Sequence, residues 1–428
     1  MAEENLFQTP KGMHDLMPED CAYFYRIENA CRKFAKDYRF NRVDFPILEN
    51  ALLFKKGTGV DSDIVEKQMY TLRTKSGETL ALRPEGTPSA VRFYLQHGAR
   101  TWLQPVKLWY SGPFFRYEKA QAGRYRQFNQ FGFEIIGGDG STLDVQIITL
   151  FYNLLTSLHL SNLMVEINSI GCLPERITYR KALTKHLKKN TQNLCSDCRR
   201  RLEKNPLRVL DCKEAACQEA VSRLPHMIDY LSDECRSRFQ EVLELLDELN
   251  IPYRLNPYLV RGLDYYTRTV FEIIQEGKDR DSQAEKKALV GGGRYDGLVE
   301  LMGGPSTPGV GAAAGIERIA GAMKEAGRRV SYQEKPEVFV AQLGQAAKKE
   351  AVKLFEELLD RKVKVAESFD KESLNAQLKR ADRLGVKYVA IIGQKEALDG
   401  SVTLKTMSTG KQRSIKRSQI AGLIKRSL

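Results

Sequence analysis

Short runs of β-branched and aromatic residues on both sides of a long Lys/Arg/Glu/Leu stretch are the feature that most limits how this chain can fold. Val106-Lys107-Leu108-Trp109-Tyr110, Phe131-Gly132-Phe133-Glu134-Ile135-Ile136 and Val270-Phe271-Glu272-Ile273-Ile274 all read as strands from their composition. They fall within residues 1 to about 170 and about 253 to 325, which are rich in aromatic residues and glycine. With helical segments such as Asp20–Tyr38, they predict a largely antiparallel sheet flanked by helices, an α+β layout. Between them, roughly Leu173 to Ile251, Phe239, Val242, Leu243, Leu246 and Leu249 recur at the spacing of one helix face. This stretch predicts a helical insertion, which a sheet domain tolerates when the two ends of the insertion lie close together.

From about Lys335 the pattern changes again. Val338–Ala341, Lys348–Arg361, Val363–Val365, Ser373–Leu384 and Tyr388–Ile392 alternate strand, helix, strand, helix, strand, which predicts a small α/β domain over residues 335–428. Residues 330–428 hold 20 Lys+Arg against 12 Asp+Glu, so 8 of the chain's 13 excess positive charges sit in its last quarter. A basic α/β module suits a polyanionic partner, because Lys and Arg contacts to phosphate supply most non-specific nucleic-acid affinity; a solvated charged face is the plainer alternative. No run approaches the ~18 apolar residues of a membrane helix, and the acidic start Met1-Ala2-Glu3-Glu4-Asn5 has no apolar signal core. Eight cysteines in 428 residues are too sparse for a disulfide scaffold. The expected location is the cytoplasm.

Three stretches could carry chemistry. Gly112 to Glu118, followed by Gly123-Arg124-Tyr125-Arg126-Gln127-Phe128 and Gln130 to Glu134, reads as strand, basic loop, strand. Such a hairpin would hold Arg116 and Glu118 on the pleat and let Arg124 and Arg126 hang in the loop, with Phe128 able to stack on a base. Planar guanidinium groups suit bidentate phosphate binding. Gly309-Val310-Gly311-Ala312-Ala313-Ala314-Gly315 predicts close backbone approach at a strand-to-helix transition, with Arg318 about one turn into the helix. It lacks the Gly-Lys-Ser/Thr ending of a P-loop. Val260 to Thr269 gathers Arg, Asp, two Tyr and Thr before an apolar strand, and Gly291-Gly292-Gly293-Arg294-Tyr295 follows; such groups either cap structure or line a site.

Taken together, Arg83-Pro84-Glu85-Gly86-Thr87, the Arg116 hairpin, Arg261-Gly262-Leu263-Asp264-Tyr265-Tyr266 and Gly315-Ile316-Glu317-Arg318 resemble bacterial histidyl-tRNA synthetases, a family of class II aminoacyl-tRNA synthetases. The resemblance runs from Lys11-Gly12-Met13 to the C-terminal domain. It implies a class II catalytic domain over residues 1–325, with the insertion at about 173–251, and a C-terminal anticodon-binding domain at 335–428. It also implies formation of histidyl-adenylate from histidine and ATP with Mg2+, then transfer to the terminal adenosine of tRNA(His). Arg116, Arg261 and Arg318 would be catalytic, the first two at the α-phosphate and Arg318 at the γ-phosphate end. Glu118, Arg124 and Phe128 would join Arg116 and Arg318 in binding ATP, Phe128 on the adenine. Glu85, Thr87 and Gln130 would hold the α-amino group, and Glu134, Tyr265 and Tyr266 would line the imidazole pocket, with Arg261 beside it. Tyr38 to Pro46 resembles the family's dimer-forming motif, implying a homodimer, although Arg39 stands where the family often has glycine.

Cys195-x2-Cys198-x13-Cys212-x4-Cys217 fits a structural zinc site in outline. The long closing pair and a family function that needs no zinc weigh against it, and the helical context weighs against a thioredoxin-like redox pair. The five histidines, His14, His97, His159, His186 and His226, have no ligand spacing, so no catalytic metal is expected. The competing family is the regulatory subunit of ATP phosphoribosyltransferase, which keeps the core but typically lacks the C-terminal domain and the active-site arginines. Here Arg116, Arg261, Arg318 and the basic module are all present. A pure RNA-binding regulator on the same fold would not need the histidine-pocket residues.

Overall fold

The structure, a computed structural model, describes residues 7–59, 62–118, 125–189, 191–277, 287–331 and 335–426. The chain folds as two compact units, Met1–Val330 and Ser331–Leu428. The first is built on an eight-stranded sheet of β1 (Asn41–Arg42), β2 (Val106–Phe115), β3 (Gln127–Ile136), β4 (Leu163–Ser169), β5 (Tyr253–Leu255), β6 (Thr267–Gln275), β7 (Lys287–Arg294) and β8 (Gly309–Gly315). The order is β1-β2-β3-β8-β7-β6-β4-β5, antiparallel except at the two outer pairs. A smaller sheet pairs Leu48–Asn50, Thr79–Leu82 and Thr71–Arg73.

Period-two alternation gives the large sheet two unlike faces. Phe131, Phe133 and Ile135 of β3 and Val310, Ala312 and Ala314 of β8 point into the main core, with Ile147, Phe151 and Leu154 of helix Ser141–Ser157. The opposite face carries Phe128, Gln130 and Glu134 on β3 and a row of glycines and alanine on β8. Arg294 at the end of β7 ties the sheet to that helix: its Nε and Nη2 donate to Asp144 at 2.8–3.1 Å, and both residues are only 2% exposed.

The segment joining β4 to the parallel β5 is helical, as its composition predicts: Leu173–Lys188, Ser196–Lys204, Ala215–Val221 and Asp233–Glu248. Tyr179, Leu183, Leu202, Val209, Cys217 and Cys235 belong to a core of its own. The last helix serves both cores: Cys235 packs in the insertion, while Phe239, Val242 and Leu246 are buried in the main body. Leu249 departs from the expected face: the helix stops at Glu248, the chain turns through Asn250 at φ +53°, and Leu249 is left exposed.

The second unit has β9 (Val338–Gln342), β10 (Val365–Glu367), β11 (Tyr388–Ile392), β12 (Ser401–Thr406) and β13 (Gln412–Lys416) in the order β10-β9-β11-β12-β13. The first three are parallel, joined through helices Gln345–Asp360 and Leu374–Leu384, and the last two are antiparallel. The strand expected at Val363–Val365 begins only at Val365, because Lys362 turns at φ +57°. Among the described residues no helix is long and apolar enough to cross a membrane.

Candidate active site

A cavity of ≈ 210 Å³ lies over the small-residue face of the sheet. Ala313 and Gly315 of β8 and Gly291 of β7 line it, and two glycines are required by close approach. A Cβ on Gly311 would sit 1.7 Å from Glu134 Oε2, and one on Gly291 would sit 2.0 Å from Arg261 Nη2. The stripped floor is what lets charged side chains lie flat against backbone in the middle of a sheet.

At one wall stands the β2–β3 hairpin. β2 ends at Phe115; Arg116 still donates its backbone N–H across the hairpin to the Arg126 carbonyl at 2.9 Å, whereas Glu118 lies beyond the strand, a correction to its expected placement on the pleat. Arg116 is held twice: its Nε donates to the Pro84 carbonyl at 2.9 Å, and its guanidinium lies 5.5 Å from the centre of the Phe128 ring. Arg126 does not hang in the loop. It lies over Tyr117 at 4.0 Å and donates to the Glu118 carbonyl, because its flat guanidinium stacks well on an aromatic face. Arg124 lies outside the described residues.

Behind this wall is a buried polar layer. Glu85 accepts from Thr58 Oγ1 and from the Tyr265 hydroxyl at 2.7 Å, and its burial raises its pKa against those hydrogen bonds. Glu134 is fully buried and accepts from Thr87 Oγ1 (2.8 Å), Tyr110 (3.1 Å) and Tyr295 (2.7 Å). Burial is the main reason its pKa is pushed up to about 7; the three hydroxyls pull it down and the nearby Glu85 charge adds to the rise. Glu134 therefore lies one layer beneath the cavity that Thr87, Tyr265 and Tyr266 line.

The far wall is the 261–266 loop. Arg261 forms an ion pair with Glu272 on β6, lies over the Tyr266 ring at 5.9 Å, and keeps a buried Nε with no hydrogen-bond partner. The helical insertion grips this loop. Asn205 Nδ2 donates to Asp264 Oδ1 at 2.8 Å, while Arg208 reaches the Gly262 carbonyl and pairs with Asp63 at 2.6 Å. Arg318, in the first turn of helix Ile316–Glu325, donates to the Ala288 carbonyl at 3.0 Å.

Of the residues singled out in the sequence, Glu85, Thr87, Arg116, Glu118, Phe128, Gln130, Arg261, Tyr265, Tyr266 and Arg318 line this one cavity, although the chain spreads them over more than 200 positions. Arg83, part of the same quoted motifs, is structural: buried under β2, it donates to the Pro113 and Phe45 carbonyls. Sequence reasoning gave no role to Thr58, Tyr110, Glu272 or Tyr295, which pair with site residues 11 to 161 positions away in the chain. Only Tyr295 had a signal, its place in the Gly-Gly-Gly-Arg-Tyr stretch. The thiols of Cys195, Cys198, Cys212 and Cys217 come together in the insertion, away from the cavity lining.

Over residues 12–319 the sequence matches the family described as histidyl-tRNA synthetase, and over 337–427 the anticodon binding domain. It is 44% identical over 415 residues to a histidine–tRNA ligase of Aquifex aeolicus, covering 96% of this chain and 99% of that protein. To the histidine–tRNA ligase of Staphylococcus aureus strain JH9 it is 38% identical over 422 residues, covering 98% and 100%. The crystal structure of apo S. aureus histidyl-tRNA synthetase superposes with a TM-score of 0.81 at 34% identity, covering 98% of this chain and all of that one. A Bacillus halodurans structure described as an ATP phosphoribosyltransferase regulatory subunit/histidyl-tRNA synthetase shares the fold, at 20% identity and a TM-score of 0.64. Likeness that runs nearly end to end and takes in the C-terminal unit leaves one conclusion: this chain belongs to the histidyl-tRNA synthetase family.

Proposed function

We propose that this cavity is where the chain, a histidine–tRNA ligase, joins histidine to ATP and then passes it to the terminal adenosine of tRNA(His). The observation that carries the reading is the lining of one cavity by both the arginines and the Glu85/Tyr265 layer. Histidine's carboxylate oxygen attacks the α-phosphorus of ATP; the new O–P bond forms as the bond to the β-bridging oxygen breaks, and pyrophosphate leaves. The nucleophile is already ionised, so no general base is needed. Arg116 and Arg261 act on the negative charge that builds at the α-phosphate, in a site where their positions are already fixed. Arg318 neutralises the departing pyrophosphate end, and alignment supplies most of the remaining acceleration. ATP enters as its magnesium complex, with Glu118 and Glu317 the cavity carboxylates suited to face the ion. Phe128 stacks on the adenine, and Arg124 joins the nucleotide contacts.

Glu85, Thr87 and Gln130 bind the α-amino group. The imidazole rests against Tyr265 and Tyr266 above Glu134, whose carboxylate, reached through Thr87 and Tyr110, favours a ring N–H donor over an apolar ring. An analogue without ring nitrogens would leave buried polar groups unpaired, so discrimination needs no editing. The basic second unit binds the anticodon stem. The enzyme works in the cytoplasm as a homodimer, a reading supported by Tyr38–Pro46 and by the exposed apolar side chains of Ile47, Leu48, Leu52 and Leu72.

Charging of a tRNA(His) transcript with labelled histidine tests the reading. Product that depends on ATP and on histidine is expected; folded protein that binds the transcript but leaves it uncharged contradicts it.

A further inference from the structure

The insertion holds a second constellation that the ligase chemistry does not use. Cys195, Cys198, Cys212 and Cys217 place their four sulfurs all within 4.8 Å of one another. Cys195 and Cys212 sulfurs are 3.9 Å apart, near the ~3.8 Å edge of a tetrahedron with Zn–S bonds of about 2.3 Å. Three of the four residues are buried and Cys195 is half-buried, so the group is shielded from solvent. Backbone amides point at the sulfurs: Cys195 N donates to Cys217 Sγ at 3.2 Å, and Cys198 N to Cys195 Sγ at 3.4 Å. Amide donors of this kind favour thiolates over thiols. A second group, Cys172, Glu175 and Cys235, is of another kind. There Arg268 Nε already donates to Cys172 Sγ at 3.3 Å, and Glu175 is taken up by the Cys172 amide and by Ser232.

We propose that Cys195, Cys198, Cys212 and Cys217 bind one Zn2+ as a closed, structural tetrathiolate site. The geometry outweighs the long Cys212-x4-Cys217 spacing, because Cys217 swings in on the short helix Ala215–Val221 while Cys212 follows the turn at Pro206–Val209. On binding, the four thiols give up their protons and the metal takes all four sulfurs, leaving no open position for catalysis. The chain between Cys198 and Cys212 carries Arg201, Asn205 and Arg208, the side chains that grip Asp63 and Asp264. The metal thus pins both ends of the segment that braces the 261–266 loop.

Elemental analysis of the full chain, purified with a thiol reductant and no chelator after growth in zinc-supplemented medium, tests this independently of ligase activity. The expected result is about one zinc per chain, released by a mercurial thiol reagent, and X-ray absorption showing a four-sulfur shell. Cys198→Ser and Cys217→Ser should lose the metal, while Cys172→Ser keeps it. If those variants fail to fold, thiol titration of the wild-type protein decides: four cysteines protected until the metal is withdrawn support the site. Metal-free protein whose cluster thiols all react freely, or protein in which they form disulfides, overturns it, and so does zinc that stays bound in Cys198→Ser.

Discussion

In the cleft, side chains are placed by strand register. Gln130 and Glu134 share one face of β3, and Gly311 opposite Glu134 leaves room for the carboxylate. In the insertion among the described residues there is no strand, and position is set by a small core, four clustered thiols and a few ion pairs to the body. A register fixed by many backbone hydrogen bonds is hard to shift by a single substitution, so damage in the cleft should appear in chemistry. An element docked by a handful of polar contacts shifts with the loss of one, so damage there should appear in how well histidine is held.

The largest expected effect is at Arg261. Arg261→Ala removes a guanidinium fixed by Glu272 and should lower adenylate formation by about 10²–10³-fold, roughly 3–4 kcal/mol, with the fold retained. Single-turnover formation of adenylate measures it, and a near-normal rate would place the α-phosphate elsewhere. Next is Glu134, whose folded-state pKa of about 7 lies above the ordinary carboxyl value. The folded protein therefore holds that proton more tightly than the unfolded chain. This contribution to stability is fully present below the ordinary carboxyl pKa and is lost as pH rises through about 7, a cost of about 3 kcal/mol on the alkaline side. Glu134→Gln lacks the ionisation, so its melting temperature should gain on the wild type between pH 5 and pH 8.5, while its histidine affinity falls. A difference in melting temperature that does not change with pH contradicts the buried, ionisable carboxylate.

On the insertion side, Arg208→Ala removes one of the partners of Asp63 and a contact to the Gly262 carbonyl. A partly buried pair of this kind is worth about 1 kcal/mol, so KM for histidine should rise several-fold while kcat changes little. A fall in kcat with KM unchanged would erase the contrast between the two regions. The smallest effect is expected away from both. Arg39 sits at φ +60°, where a side chain is strained, and Arg39→Gly should be neutral or add up to about 1 kcal/mol to stability by chemical denaturation, leaving activity unchanged.

Legibility in the sequence followed the range of the interactions. The strands at 106–110, 131–136 and 270–274 were readable because β-branched and aromatic runs act locally, and the α/β rhythm after Lys335 for the same reason. The antiparallel pair β12–β13 went unread, since its alternation is short and its outer strand Gln412–Lys416 is mostly exposed. At the site, the arginines and tyrosines were found through motifs. Their partners were not: Glu272 for Arg261, Thr58 for Glu85, Tyr110 and Tyr295 for Glu134. These contacts join residues 11 to 161 positions apart that sit on different elements, and no local periodicity announces them. Arg83 shows the converse, a motif residue whose place under β2 only the fold reveals.

The most direct measurement is ATP–pyrophosphate exchange with the purified chain, run with each amino acid in turn. The cleft as described predicts exchange with histidine and background rates with the others, because only an imidazole meets the Tyr265, Tyr266 and Glu134 layer. Well-folded protein that exchanges with no amino acid, or as well with another as with histidine, would contradict the account of this cavity and of the arginines around it.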